Sequence, residues 1–464
     1  KHGTRYPTIS LSPPLGLLYI AAYLRDNGVE VRLVDQNGER ASDEEVLRRI
    51  ERFSPKVLGF STMAWQASKA GSLAAEAKTR LPDSHIVMGG IHATLNPLRM
   101  MKKYPQIDSI IAGEGELSVL KLLKALELDE DLKTVPGIYY RENGRIKAGA
   151  ARHFITDLDS LPFPARDLVR QDWYGQVEGM DFPNLTTVVS SRGCPHSCSF
   201  CCCSSFSGRR WRARSPENVV DEIEELLAAG YKTIFFVDDN FTMNRKRIHK
   251  ICHIIRERRL EFDWLCEGRV DQTNYDTIRN MVGSGCKTFY LGLESANQRM
   301  LDLYKKKITP RMSEQAVTTA RRAGVDVILA TFIIGGPGET AKEIQNTINF
   351  ALKLDIDFPQ FNTLVANTRT EIWNQLVAQG LIDSDEMWDT GVFVSDIYPG
   401  NIPTEKLMRL VADGYDRFLH RVGFVFKQLY RITTSRFRMR MLLHNIRNRH
   451  MLMKYAKGEL SSEQ

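Results

Sequence analysis

The sequence predicts an α/β protein: a doubly wound, Rossmann-like N-terminal domain, then a partial TIM-type (β/α)6 barrel, then a helical C-terminal region. Three observations carry this. Helix-like and strand-like segments alternate along the first third of the chain, and a second alternation begins at Leu185. Between them, "LDSLPFPARDLV" breaks the periodicity with two prolines and reads as an inter-domain connection. From about Asp385 the pattern turns helical and basic. The expected units are 1–140, a linker at 141–180, a barrel at 181–384 and a C-terminal region at 385–464.

In the first run, "PLGLLYIAAYLRDNG" sets apolar residues at helical spacing and stops at Gly28. "VEVRLVD" follows as a short β-branched strand. "SDEEVLRRIERFSP" is an amphipathic helix, with Ser42 as N-cap and Glu45 completing a capping box. "KVLGFST" is almost continuously apolar, the pattern of a parallel strand buried on both faces. The helix "SKAGSLAAEAKTRL", the strand "HIVMGG", a helix near "NPLRMMKKY", the strand "SIIAGEGE" and the helix "LSVLKLLKALEL" complete the unit. Ligands of such folds sit at the carboxyl ends of the strands.

In the second run, the strands are "LTTVVSS", "TIFFVDD", "FDWLCEGR", "TFYLGLES", "VDVILATFIIGG" and "PQFNTLV". Helices lie between them. In "SPENVVDEIEELLAAG", Ser215 is the N-cap, Pro216 opens the helix and Gly230 closes it. Six β/α units make a partial or full barrel, with its active site at the C-terminal strand ends.

Composition narrows the class. At 43% apolar and 26% charged, the chain is neither disordered nor fibrous. No apolar run approaches the ~20 residues of a membrane span. No secretory signal is evident, although a chain opening at Lys1 leaves the start uninformative. Eight cysteines in 464 residues are too few for a secreted disulfide framework and read as reduced cytoplasmic thiols.

Five of those cysteines fall in "SSRGCPHSCSFCCC", Ser190 to Cys203. Cys194, Cys198 and Cys201 form C-x3-C-x2-C directly after the first barrel strand. Three thiolates on one short loop can hold three corners of a 4Fe–4S cubane and leave the fourth iron open. A structural zinc site needs a fourth ligand at paired spacing, and His196 is crowded inside the loop. Zinc or a redox pair remains the alternative. Cys202 and Cys203 read as packing at a helix start, and Cys252, Cys266 and Cys286 stand isolated in the sequence.

With Phe200 before its last cysteine, this motif resembles that of the radical S-adenosylmethionine superfamily. Further segments extend the resemblance. "FFVDDNF" supplies Asp238 and Asp239, "CEGRV" supplies Glu267 and Arg269, and "LGLES" supplies Glu294 and Ser295. "FIIGGPGET" is similar to the fifth-strand motif at Ile334, Gly336 and Glu339, with Phe332 in place of its first glycine. The resemblance implies that Phe200, these acids, Arg269, Ser295 and Ile334 contact S-adenosylmethionine. Carboxylates suit its ammonium, Arg its carboxylate and Ile334 its adenine. Glu339 is expected to cap the following helix.

"VMGGIHATLNP", "IIAGEGE" and "PPLGLLYIAAYLRDNG" with "VRLVD" resemble the cobalamin-binding domain that precedes the radical domain in a large subfamily. That resemblance covers nearly the whole chain. It implies cobalamin contacts at Ser61, Thr62, Gly89, Gly90, His92, Gly113 and Glu114, the glycines admitting the nucleotide tail. In "VDQNGER", Asp35 is present, but Asn37 stands where cobalamin mutases carry a cobalt-ligating His. Any cobalamin here should lack a protein His ligand.

The implied activity is cobalamin-dependent C-methylation of a small molecule, hydrophobic or acidic. The route runs through a 5′-deoxyadenosyl radical and methylcobalamin, with an electron donor such as flavodoxin or ferredoxin. The subfamily also contains anaerobic magnesium-protoporphyrin IX monomethyl ester cyclases, so oxidative ring formation is the alternative. A scaffold N-terminal domain without cobalamin is a third. "LVANTRTEIW" departs from the "PGT" turn of relatives, which leaves the substrate class and the catalytic residues open.

The net charge of +7 is concentrated: from Arg417 to Gly458 there is no Asp or Glu, while Arg421, Arg431, Arg436, Arg438, Arg440, Arg447 and Arg449 fall there. "RFRMRMLLHNIRNRHMLMKY" interleaves Met and Leu with Arg at near-helical spacing. It reads as a core-packing helix with a basic face, or as a peripheral contact with an anionic membrane. Nucleic acid is not expected.

Overall fold

The computed structural model describes residues 12–177, 180–389 and 391–447. The N-terminal domain begins with α1 (Leu15–Asp26), α2 (Gln36–Glu39) and α3 (Asp43–Phe53). β1 (Val57–Ser61), α4 (Ala67–Arg80), β2 (His85–Gly89), α5 (Gly90–Leu95), α6 (Pro97–Lys103), β3 (Ser109–Ile111) and α7 (Gly115–Glu127) follow. β1, β2 and β3 pair in parallel. An antiparallel hairpin, β4 (Ile138–Glu142) and β5 (Arg145–Ala148), extends the sheet in the order β1-β2-β3-β4-β5. The sheet therefore runs on to Ala148, into the segment expected to be linker.

Three local expectations change. "VEVRLVD" is extended but joins no sheet among the described residues. Its charged Glu30 and Arg32 alternate with apolar residues, and a cavity lies between it and β1. β1 is consequently a half-exposed edge strand rather than one buried on both faces. At α3, Ser42 Oγ accepts from Glu45 N at 3.2 Å, but the Glu45 carboxylate turns to Arg49, so the cap is one-sided.

All six predicted barrel strands form. They are β6 (Leu185–Val188), β7 (Thr233–Phe236), β8 (Asp263–Gly268), β9 (Cys286–Glu294), β10 (Val327–Ile334) and β11 (Phe358–Thr363). They pair in parallel in sequence order, as a six-stranded open barrel. The helices between are α8 (Cys203–Ser207), α9 (Pro216–Ala228), α10 (Arg245–Glu257), α11 (Tyr275–Val282), α12 (Gln298–Leu303), α13 (Pro310–Ala323) and α14 (Ala341–Lys353). The predicted cap of α9 is present, with Ser215 Oγ accepting from Asn218 N at 3.1 Å.

Strand side chains alternate between faces, and the two faces have separate cores. Leu185, Phe235, Leu265, Tyr290 and Leu329, one from each of five strands, form an inner layer. The outer face packs Ile234, Cys266, Phe289, Phe332 and Ile334 among the helices. α15 (Glu371–Ala378), α16 (Val394–Ile397), α17 (Thr404–Leu419), α18 (Val422–Thr434) and α19 (Arg436–Arg447) complete the chain. Phe437 of α19 enters the inner layer and closes the barrel base. The remainder of the basic run, from 448 onward, lies outside the described residues.

Candidate functional site

Cys194, Cys198 and Cys201 lie on the loop after β6, each partly buried. Several contacts fix this loop. Ser199 N donates to Tyr304 O at 3.0 Å and its hydroxyl to Leu303 O at 2.7 Å, while Ile372 N donates to Ser199 O at 3.0 Å. Cys201 N donates to Cys198 O at 3.1 Å, folding the two thiols into one turn. Gly193 has φ +87, and a Cβ there would lie 2.0 Å from Arg210 O, so only glycine fits.

The predicted acids divide into two groups. Asp238 is buried and committed: it accepts from Ser190 N at 2.7 Å, Ser190 Oγ at 2.6 Å and Ser191 Oγ at 2.5 Å. Asp239 is exposed and accepts from Gly193 N at 2.8 Å. The pair clamps the entry to the cysteine loop, a structural task that the sequence reading did not assign. Glu267 is exposed two residues beyond Leu265, on the inner face. Glu294 has φ +64 and pairs with buried Lys306 at 2.5 Å. A non-glycine residue held in that conformation marks a constrained site.

Arg269 stands beside the cysteines, with Nη1 at 3.8 Å from Cys198 Sγ and Nη2 donating to Lys306 O at 3.0 Å. Its Nε donates to Asp271 at 3.0 Å. Phe200 meets Tyr304 edge to face, with ring centroids 5.5 Å apart.

Ser295 and Ile334 do not reach the inner face. Ser295 Oγ lies 3.3 Å from Thr347 Oγ1 of α14, and Ile334 is fully buried among the helices. Strand parity explains both, since Glu294 and Ile333 occupy the inward positions. Glu339 does not cap α14. Thr340 does, in a capping box with Glu343. Glu339 instead accepts from Gly335 N at 2.7 Å and Gly336 N at 3.1 Å, bracing the glycine loop.

The thiols suit iron. Burial raises Cys194 above the ordinary thiol value and pushes Cys201 up to about 12. A coordinating metal deprotonates such thiols outright. Among the described residues, no three His, Cys, Asp or Glu side chains converge on one ion position. A cubane does not require that convergence, because each of three irons takes one thiolate. Cys203 is buried at the start of α8, as expected of packing. Cys252, Cys266 and Cys286, isolated in sequence, share the outer core.

A cavity of about 3490 Å³ joins the two domains. Drug-sized ligand sites occupy roughly 300–1,000 Å³, so this one has room for a much larger molecule. Ser61, Thr62, Gly89, Gly90, Gly113 and Glu114 line its N-terminal side. Arg192, Gly193 and Asp239 line the side next to the cysteine loop. Gly90 has φ +89, and a Cβ there would lie 2.6 Å from Thr62 N. That glycine admits the neighbouring backbone rather than a ligand.

Two predicted cofactor contacts have other partners. Glu114 pairs with Arg212 at 2.8 Å and Arg192 at 3.2 Å and accepts from Ile155 N at 2.7 Å. Burial opposes its charge, but Arg212 and Arg192 prevail and hold it below the usual carboxylate range. His92 does not line the cavity. It stacks on Trp388 at 5.5 Å, and burial pushes its pKa down to about 4. Asn37 does line the cavity. Sequence reasoning missed Arg192, although it lies inside the quoted "SSRGC".

Residues 188–351 match the Radical SAM superfamily, and residues 10–123 match the B12 binding domain. An uncharacterized methyltransferase of Pyrococcus horikoshii is 34% identical over 420 residues, 90% of each chain. The anaerobic magnesium-protoporphyrin IX monomethyl ester cyclase of Rubrivivax gelatinosus is 29% identical over 89% of this chain and 75% of the cyclase. Among solved structures, TsrM is a radical S-adenosylmethionine methyltransferase from Kitasatospora setae with cobalamin and a 4Fe–4S cluster bound. It has a TM-score of 0.68 at 19% identity, over 80% of this chain and 72% of TsrM.

Proposed function

The chain belongs to the cobalamin-dependent radical S-adenosylmethionine methyltransferase family, and we propose that it methylates an unactivated carbon of a small molecule. Its cofactors are a 4Fe–4S cluster, S-adenosylmethionine and cobalamin. The cluster with S-adenosylmethionine supplies hydrogen abstraction, and cobalamin supplies the methyl group. The observation that carries the proposal is the cavity joining Ser61, Gly89 and Gly113 to Gly193, the residue before Cys194. One continuous space can then hold the methyl donor and the reacting carbon close together.

In this reading Cys194, Cys198 and Cys201 hold the cluster, and Arg269 steadies the charge at Cys198. Asp239, Glu267 and Glu294 are the carboxylates for the S-adenosylmethionine ammonium. Ser61, Thr62, Gly89, Gly90 and Gly113 bound the cobalamin, while Glu114 and His92 hold the protein around it. Asn37, which stands where cobalamin mutases carry a cobalt-ligating His, lines this cavity. The N-terminal domain serves cobalamin, residues 181–384 serve the cluster and S-adenosylmethionine, and the helices after 385 close the barrel base.

A flavodoxin or ferredoxin supplies electrons, and the cytoplasm is the working compartment. No helix of the described residues is long and apolar enough to cross a membrane. Peripheral contact with anionic lipid falls to α18, where Val422, Val425, Phe426, Leu429 and Tyr430 form an exposed apolar stripe. It does not fall to the start of α19, where Phe437 and Arg438 are buried.

The test is anaerobic turnover of candidate substrates with methyl-labelled S-adenosylmethionine, read by mass spectrometry. A labelled methyl product together with 5′-deoxyadenosine is expected. The likeness to the cyclase supports ring formation as a second reading. 5′-Deoxyadenosine with a dehydrogenated, unlabelled product would favour it and exclude methylation of that substrate.

A further inference from the structure

The loop after β1 carries two apolar side chains with no place in any core. Trp65 is 75% exposed and Met63 43% exposed. Of the six tryptophans, Trp65 alone is exposed; the others are buried or half-buried. A tryptophan offers 150–250 Å² of surface for burial, and leaving it in water forgoes that gain. Trp65 enters no ring stack and no hydrophobic cluster among the described residues.

The loop is nevertheless held firmly. Thr62 N and Thr62 Oγ1 both donate to Gly89 O, at 3.0 and 3.1 Å, and Met63 N donates to Gln66 Oε1 at 3.2 Å. The close approach that Gly90 permits locks this segment against the β2–α5 turn. Met63 and Trp65 are therefore presented by a fixed arm rather than a mobile one. They line the same cavity as Ser61, Gly89 and Gly113, at the C-terminal end of the sheet, where ligands of this architecture lie.

We infer that Met63 and Trp65 form an apolar seat for the flat macrocycle of cobalamin, and this rests on the cobalamin reading above. The bound group covers the indole, and the indole in turn sets the tilt of the macrocycle against the sheet. Neither side chain has a group that ligates cobalt strongly, so the seat would act by packing against the macrocycle.

The test uses the full chain and hydroxocobalamin. Free protein is treated with 2-hydroxy-5-nitrobenzyl bromide, and labelling at Trp65 is mapped by peptide mass spectrometry with and without hydroxocobalamin. Strong labelling of the free protein, reduced at least fivefold by hydroxocobalamin, is expected. Equilibrium dialysis of Trp65→Ala should show Kd raised about tenfold, equivalent to about 1.4 kcal/mol. Trp65→Phe should stay within about threefold of wild type, because it keeps an aromatic face. The labelling arm needs no variant and so does not depend on one folding. Wild type retaining hydroxocobalamin with Trp65 labelled as fully as before overturns the inference alone. Wild type failing to retain hydroxocobalamin removes the cobalamin reading and the inference with it.

Discussion

Arg192 donates to Glu116 at 2.6 Å across the junction of the two domains. The arginine is two residues before Cys194, and the glutamate is in the first turn of α7. Arg192 also faces Glu114 at 3.2 Å and lies over the Tyr19 ring. One side chain thus ties the cysteine loop to the N-terminal domain. Removing one partner of a buried pair strands the other, at about 3–5 kcal/mol. Arg192→Ala should destabilise the unloaded protein by that order, read as a lower urea midpoint. Arg192→Lys should fall between, since an ammonium cannot make the forked contact. An unchanged midpoint for Arg192→Ala would mean that the domains are held elsewhere.

Asp238 makes a second prediction. It accepts three hydrogen bonds from Ser190 and Ser191, and Arg247 Nη2 donates to Ser190 O at 2.8 Å on the same turn. Asp238→Ala leaves buried donors without an acceptor, at about 1–3 kcal/mol for each group. The cysteine loop should then lose its fixed entry. We expect Asp238→Ala to retain less than half the wild-type iron after anaerobic reconstitution, measured by iron assay and visible absorbance. Asp238→Asn, which keeps one acceptor oxygen, should retain more. Equal iron in all three proteins would separate Asp238 from the loop.

The two predictions also show where sequence reasoning reached its limit. The cysteine spacing and the six barrel strands were legible because each is a short-range pattern: thiols three and four apart, and apolar runs between helices. What depends on a partner distant in sequence was not. Asp238 and Glu114 were recognised as important acids, but their arginine and serine partners come from other segments. Ser295 and Ile334 differ in another way, since alternation along the strand turns their side chains outward and those of their neighbours Glu294 and Ile333 inward. That parity was available in the sequence. The extended segment at 29–35 has strand composition but pairs with no strand among the described residues, which composition alone cannot reveal.

Glu339 predicts a pH dependence. Burial pushes its carboxyl up to about 7, although Gly336 N and Gly335 N donate to it and favour the charge. Its Oε1 is buried with no hydrogen-bond partner among the described residues. The unfolded chain has the ordinary value near 4.5. The folded state therefore holds the proton more tightly, and this contribution is complete below pH 4.5 and lost as pH rises through 7. It reaches about 3 kcal/mol at most. Glu339→Gln keeps a neutral acceptor and should gain stability relative to wild type between pH 5 and 8, read as the difference in urea midpoints. A difference that stays flat over that range would show Glu339 already charged at pH 5.

The barrel base makes the opposite acid–base prediction. Asp357, before β11, accepts from Arg321 at 2.6 Å, Arg438 at 2.6 Å, Gln428 at 3.0 Å and Ile328 N at 2.7 Å, with Arg431 at 3.4 Å. Burial opposes the charge, but Arg321 and Arg438 outweigh it and hold the carboxyl below its ordinary value. The folded state thus releases the proton more readily, so this stabilisation is present above the ordinary Asp range and lost as pH falls through it. α19 is attached through the same carboxylate, with Phe437 beside Arg438 filling the inner layer. Phe437→Ala should cost about 3–5 kcal/mol at any pH, as for a large buried side chain. Asp357→Asn leaves Arg438 without its carboxylate partner and Arg321 and Arg431 with Asp355 alone. It should destabilise strongly at pH 7, while its deficit against wild type should shrink toward pH 3, as the unfolded wild-type chain takes up the proton that the folded state resists. Urea midpoints of the two variants at pH 7 and pH 3 separate a charge clamp from a packing plug, and a deficit for Asp357→Asn that is equal at both pH values would assign α19 docking to Phe437 alone.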